Sequence, residues 1–174
     1  MNEGERAQPS AMKFYGTAGA VLVLDQITKI IARGCLRPDQ SCTVIPGLFD
    51  LKLGYNSGAA FGILPNWAPL FIVAALVTIY ATVRLRRAGG SSPSFAVGLG
   101  LLLGGALGNL IDRLANPEIG VTDFLSFHID VRGATHAWPA FNIADAAIVV
   151  GALALFYHVF ILDRQQQPTD NSSG

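Results

Sequence analysis

Charge is scarce in this sequence, and what there is cancels. Of 174 residues only 14% are charged, with 12 Lys plus Arg against 12 Asp plus Glu, where a typical soluble domain carries roughly 25%. The basic residues form no stripe, which excludes an electrostatic nucleic-acid interface. Cysteine is nearly absent: Cys35 and Cys42 are too few for a disulfide scaffold or a structural zinc site. Free or incidentally paired thiols are the preferred reading for them. The three histidines, His128, His136 and His158, lack metal-ligand spacing. No cleavable signal peptide is expected at the start, because the lead Met1–Ser10 holds two Glu and the apolar run after it continues into charged residues instead of a cleavage site. That first run reads as a permanent span.

Apolar residues make up 51% of the chain, and they are concentrated in runs. Crossing the hydrocarbon layer takes about 20 of them. Four stretches qualify, at residues 14–32, 67–83, 95–111 and 143–162, and the second and third contain no charge at all. A soluble four-helix bundle would show polar faces at helical spacing, which these two segments lack. The expected fold is therefore an all-α membrane protein. One integral domain over residues 1–174 would have four transmembrane helices, a small extracytoplasmic β-sheet and a further outer loop or helix.

Arg84, Arg86 and Arg87 cluster beside the end of the second run with no acid near them, which places that loop and both termini in the cytoplasm. The other two connections then face outward. Phe49-Asp50-Leu51-Lys52-Leu53 alternates like a half-buried strand between Pro46-Gly47 and Gly54, so an outer β region is expected at about 40–62. The second outer connection holds Asp123, His128, Asp130 and His136. Residues 165–174 form a polar tail expected to be disordered. Gly100, Gly104 and Gly108 recur every four residues in the third run, the spacing that lets helices approach closely in lipid.

Ionisable groups inside a span are costly, by roughly 2.5 to 3.5 kcal/mol each, and so are functional candidates. Asp25 and Lys29 lie four apart on one helix face; Asn109, Asp112 and Arg113 end the third span; Asn142 and Asp145 open the fourth. With Asn56 and Asp123 they converge on the outer level. Asp25 has a built-in cation in Lys29, and that pair reads first as a structural one. Asp112 also reads as structural. Asn109 and Arg113 suit a helix-end network or direct substrate contact, and Asn142 suits a helix N-cap or a site role. Asp123 and Asp145 have no cation within four residues on either side. Brought together they could not both ionise easily and would share one proton. From the residues alone, catalysis and a structural role both stay open for them.

Four stretches then resemble one family in order and spacing. They are Asp25-Gln26-Ile27-Thr28-Lys29, Tyr55-Asn56-Ser57-Gly58-Ala59-Ala60-Phe61-Gly62, the run Gly104 to Arg113, and Val121-Thr122-Asp123-Phe124 with Phe141-Asn142-Ile143-Ala144-Asp145. Over about residues 12–162 the chain resembles the lipoprotein signal peptidases, or signal peptidase II. The resemblance implies an aspartic endopeptidase of the bacterial inner membrane that needs no metal or other cofactor. Its substrate would be a prolipoprotein carrying diacylglyceryl on the cysteine before which it cuts, its surroundings membrane lipid, its state a monomer, and its inhibitors the globomycin-type antibiotics. Asp123 and Asp145 match the catalytic pair; Asp25, Lys29, Asn56, Asn109, Arg113 and Asn142 match the polar residues around it. The active site would lie near the outer face. Two rivals from other classes are a metal-dependent lipid headgroup enzyme, in which aspartates hold Mg²⁺, and a small proton-coupled transporter relaying through Asp25, Lys29 and Asp145.

Overall fold

A computed structural model of the chain describes residues 3–38, 40–57, 68–88 and 92–162. The helices are α1 (Glu3–Cys35), α2 (Ala68–Ala88), α3 (Pro93–Ala115) and α4 (Ile143–Tyr157), the last running into one turn of π-helix at His158–Leu162. Three of them are long and apolar enough to cross a membrane: Ala68–Ala88, Pro93–Ala115 and Ile143–Phe160. The longest helix, α1, interrupts its apolar run with Asp25, Gln26 and Lys29. The expected bounds of the first span, 14–32, fall inside it. The start of the second at Trp67, the Gly58–Gly62 part of the second motif and the 165–174 tail lie outside the described residues.

The helix α3 is the centre of the bundle. Within its apolar window 61% of the residues are buried, against 11% in α2 and 17% in α4. Its glycines explain the close approach. A Cβ on Gly104 would lie 2.7 Å from the Ala18 carbonyl oxygen and 2.7 Å from Val21 Cβ, both on α1. On a neighbouring face, a Cβ on Gly105 would meet the Ala144 carbonyl of α4 at 2.5 Å. Contacts that tight are available only to glycine, as expected where helices pack without a hydrophobic driving force between them.

Above one end of the bundle lies a four-stranded antiparallel sheet in the order β1 (Ser41–Ile45), β2 (Phe49–Asn56), β3 (Val121–Val131), β4 (Ala134–Ala137). The alternating segment at residues 49–53 is indeed a strand. The second outer connection is the β3–β4 hairpin, and no helix occurs in it. The physical reason is its pattern. Leu125, Phe127, Ile129 and Val131 alternate with Ser126, His128 and Asp130, a period of two that suits a strand. Arg132 (φ 53°) and Gly133 (φ 80°) make the two-residue turn, whose paired positive φ values match the right-handed twist of the flanking strands.

The sheet also fixes where α4 begins. The Phe141 carbonyl accepts from the Phe124 and Leu125 amides at 3.0 and 2.9 Å, and the Phe141 amide donates to the Leu125 carbonyl at 3.0 Å. Phe127 stacks between Phe49 (4.6 Å) and Phe141 (5.9 Å). Residue 142 is thereby held beside residue 123, although 19 positions separate them in sequence.

Candidate active site

Each of the two unpaired-looking aspartates arrives on a different kind of element. In the β2–β3 register Asp123 stands opposite Gly54 and Val121 opposite Asn56, so no side chain on β2 faces Asp123 directly. Asp145 sits three residues after Asn142, the N-cap of α4. The Asn142 side-chain oxygen accepts from the Asp145 amide (2.9 Å), and the Asp145 carboxylate accepts from the Asn142 amide (3.3 Å). This reciprocal arrangement is a capping box. The expected helix cap is formed, and Asn142 Nδ2 also donates to Asp123 Oδ1 at 2.7 Å.

Asn142 therefore touches both carboxylates. Each has a second amide donor: Asn109 Nδ2 to Asp145 Oδ1 at 2.7 Å, and Asn56 Nδ2 to Asp123 Oδ2 at 3.3 Å. Asp123 is only 4% exposed. Burial pushes its carboxyl up from 3.8 to about 7, with the nearby Asp145 charge adding to the rise; hydrogen bonds from Asn142 and Asn56 and the Lys29 charge oppose it. Loss of water disfavours the charged form, and a like charge does the same.

Beneath the pair lies an ionic layer with a fully buried centre. Lys29 Nζ is 2.9 Å from Asp25 Oδ2, 3.3 Å from Asp112 Oδ2 and 3.1 Å from Asn109 Oδ1. Asp25 Oδ1 accepts from the Ala144 amide at 2.9 Å, and Asp112 Oδ2 from the Thr122 amide at 2.9 Å. Arg33 closes the layer, 3.8 Å from Asp112 Oδ1 and donating to Thr122 Oγ1 at 2.8 Å. The expected Asp25–Lys29 ion pair is present, and Asp112 belongs to the same network. Neither Asp112, Thr122 nor Arg33 was among the expected site residues. The one sequence signal was the position of Asp112 three residues after Asn109, on the same face of α3.

A cavity of about 400 Å³ opens beside Asp145 between α2, α3 and α4. Its walls are apolar on the α2 and α4 sides (Phe71, Ala74, Ala75, Ile148) and polar at one end, where Asn56, Asn109, Arg113 and Asp145 meet. The Arg113 guanidinium lies 5.1 Å from the centre of the Phe71 ring and donates to the Asn109 carbonyl at 3.3 Å. The expected site residues thus come together at one end of the bundle. Among the described residues no group of three or more His, Cys, Asp or Glu is arranged to hold a metal ion, and the position between Asp25 and Asp112 is filled by the Lys29 ammonium. Cys35 and Cys42 are exposed free thiols. His128 lies 3.6 Å from Asp50 on the sheet, away from the carboxylate pair.

The chain matches the family model for signal peptidase (SPase) II over residues 17–161. The chain belongs to that family. It is 43% identical to a lipoprotein signal peptidase of Oleidesulfovibrio alaskensis, over 87% of this chain and 99% of the relative, and 42% identical to one of Geobacter metallireducens, over 94% and 99%. A solved chain described as a bacterial membrane enzyme structure by the in meso method superposes with a TM-score of 0.73 at 28% identity, covering 91% of this chain and 92% of the other. A second with the same description gives 0.71 at 29% identity, covering 83% and 90%. The signal peptidase II family consists of bacterial inner-membrane enzymes whose substrates are prolipoproteins, and the resemblance carried by the sequence motifs is borne out.

Proposed function

We propose that the chain is an aspartic endopeptidase that frees the signal peptide of a diacylglyceryl-modified prolipoprotein by cutting before the lipidated cysteine, with Asp123 and Asp145 as its catalytic pair. The observation that carries this reading is Asn142, whose side chain holds Asp123 while its backbone amide holds Asp145. The Asp145 charge disfavours ionisation of Asp123, and two carboxylates that interact in this way favour holding one proton between them. A carboxyl at about 7 keeps that proton available at neutral pH.

The ionised member of the pair takes a proton from water as the water oxygen bonds to the scissile carbonyl carbon. The protonated member gives its proton to the carbonyl oxygen, so no free oxyanion develops. Collapse of the tetrahedral diol breaks the C–N bond. The departing amine receives one proton from the pair, which regains its shared proton from the diol hydroxyl. Products are the signal peptide carboxylic acid, which gives up its proton to water, and the free amino group of the lipidated cysteine.

The half-apolar, half-polar cavity supports the substrate assignment. Acyl chains can lie along Phe71, Ala75 and Ile148 while the backbone reaches Asp145. Asp25, Lys29, Asn109 and Arg113 support the site from below, and Asn56 contacts the peptide from the sheet side. We read α1 as the fourth span, with both termini cytoplasmic. Arg86 and Arg87 lie in the last turn of α2, at the end away from the sheet, so the pair lies near the outer face. We read the protein as a monomer, and globomycin-type antibiotics are expected to inhibit it.

The test is cleavage of a diacylglyceryl-modified prolipoprotein by the purified protein in detergent with EDTA present. Asp123→Asn and Asp145→Asn, each shown to be folded by its melting curve, run alongside. Activity with EDTA that disappears in both variants supports the pair. Activity surviving in either folded variant refutes it, and activity lost to EDTA and restored by Mg²⁺ points to the metal-dependent alternative.

A further inference from the structure

We propose that Asp112 is a positioning residue for the peptidase reaction, forming with Lys29 and Asp25 a clamp that fixes the separation of Asp123 and Asp145. The inference rests on the aspartic-pair reading. Its basis is a repeated arrangement. The residue just before each reactive aspartate has its backbone amide gripped by a buried carboxylate: Thr122 by Asp112 and Ala144 by Asp25, both at 2.9 Å. Neighbouring Cα atoms are about 3.8 Å apart, so a shift of either grip is passed directly to the aspartate beside it.

The two gripping carboxylates stand on different helices, α3 and α1, and one ammonium joins them. Lys29 has three donors and three partners, each leading to the pair by a separate route. Asp25 (2.9 Å) leads through Ala144 to Asp145, Asp112 (3.3 Å) through Thr122 to Asp123, and Asn109 (3.1 Å) directly to the Asp145 carboxylate. Arg33 adds a second hold on Thr122 and faces Asp112, so the layer contains two anions and two cations. Mere fastening of α1 to α3 would need only a neutral contact such as the glycine-lined seam further from the sheet, where Gly100 and Gly104 meet α1. A second buried carboxylate is costly, and what it gains here is a hold on β3 at residue 122. Asp25, Lys29 and Asp112 are at most 1% exposed, so water cannot replace a lost grip.

The test measures kcat and KM separately for folded Asp112→Ala and Asp112→Asn on the lipid-modified prolipoprotein, with Asp123→Asn as a control. A misplacement near 1 Å lowers the chemical step by about 100-fold, so Asp112→Ala should lose about that much in kcat while KM stays within about twofold. Asp112→Asn keeps an acceptor for the Thr122 amide but drops the charge facing Lys29, and should lose only about tenfold in kcat. A folded Asp112→Ala enzyme with unchanged kcat, or with its loss in KM, overturns the clamp. If that variant does not fold, Asp112→Asn decides alone, and a kcat within about twofold of the parent overturns it. Asp123→Asn separates the two ideas: it is inactive if the pair is catalytic, and activity there overturns the pair and the clamp with it.

Discussion

Replacing Asp123 by Asn should stabilise the protein at alkaline pH while abolishing catalysis. In the folded chain burial and the Asp145 charge push this carboxyl from 3.8 to about 7. Because the folded value lies above the unfolded one, Asp123 does not weaken the fold below about pH 4, where it is protonated in both states. Between about 4 and 7 the unfolded chain ionises it and the folded chain does not, so stability falls. Above about 7 the full penalty is present. At about 1.4 kcal/mol per pH unit the difference corresponds to about 4 kcal/mol.

Asparagine removes that penalty but not all the contacts. Its oxygen still accepts from Asn142 Nδ2, whereas its amide nitrogen would face the Asn56 amide that now donates to Oδ2. Losing that bond costs about 1 kcal/mol. The net expectation is a variant about 1 kcal/mol less stable than the parent at pH 4 and about 3 kcal/mol more stable at pH 8. Thermal melting of both proteins in one detergent across that range measures it. The difference in Tm should change sign as pH rises. A difference that is flat with pH, or that stays negative at pH 8, would refute the claim that Asp123 is a carboxyl held neutral by its surroundings.

The other predictions concern turnover and packing. Because the pair must keep one proton, cleavage should decline as pH rises through and beyond about 7, measured as kcat against pH. Asn142→Ala should lose about 1 kcal/mol of stability with its helix cap and about 100-fold in turnover. Asn142→Asp should recover the cap but not the activity, since it puts a third carboxylate against Asp123; equal recovery of both would sink the bridging role. Asn56→Ala should lower turnover with no change in Tm beyond about 1 kcal/mol equivalent, and full activity would count against its contact with the peptide. Gly104→Ala forces a Cβ to 2.7 Å from the Ala18 carbonyl oxygen and should destabilise by about 1 to 3 kcal/mol, read by melting.

How much of this was legible in the sequence depends on the range of the interaction. The charge-free run at 67–83 lies within α2 from Ala68 on, and the helix runs on through Arg84, Arg86 and Arg87 to Ala88. A helix satisfies its backbone internally whatever its side chains, and long basic residues can reach the interface. The alternation at 49–53 gave β2, and the same alternation from Leu125 to Val131 was equally present but overshadowed by the aspartates and histidines it carries. Asn142 and Asp145, three apart, displayed their capping relation openly. The layer beneath the pair did not, because its decisive bonds join Asp25 to Ala144 and Lys29 to Asn109 across 119 and 80 positions. The same burial that makes those bonds hard to read makes them unreplaceable. Lys29 has no water to turn to, so its partners must come from helices that other features bring together. Gly108 is where those two levels meet: a Cβ there would lie 2.5 Å from Asp25 Oδ2. The small-residue spacing, read from the sequence only as helix packing, is therefore also what leaves room for the carboxylate that grips the start of α4. An alanine at 108 should move Asp25, and through Ala144 it should move Asp145.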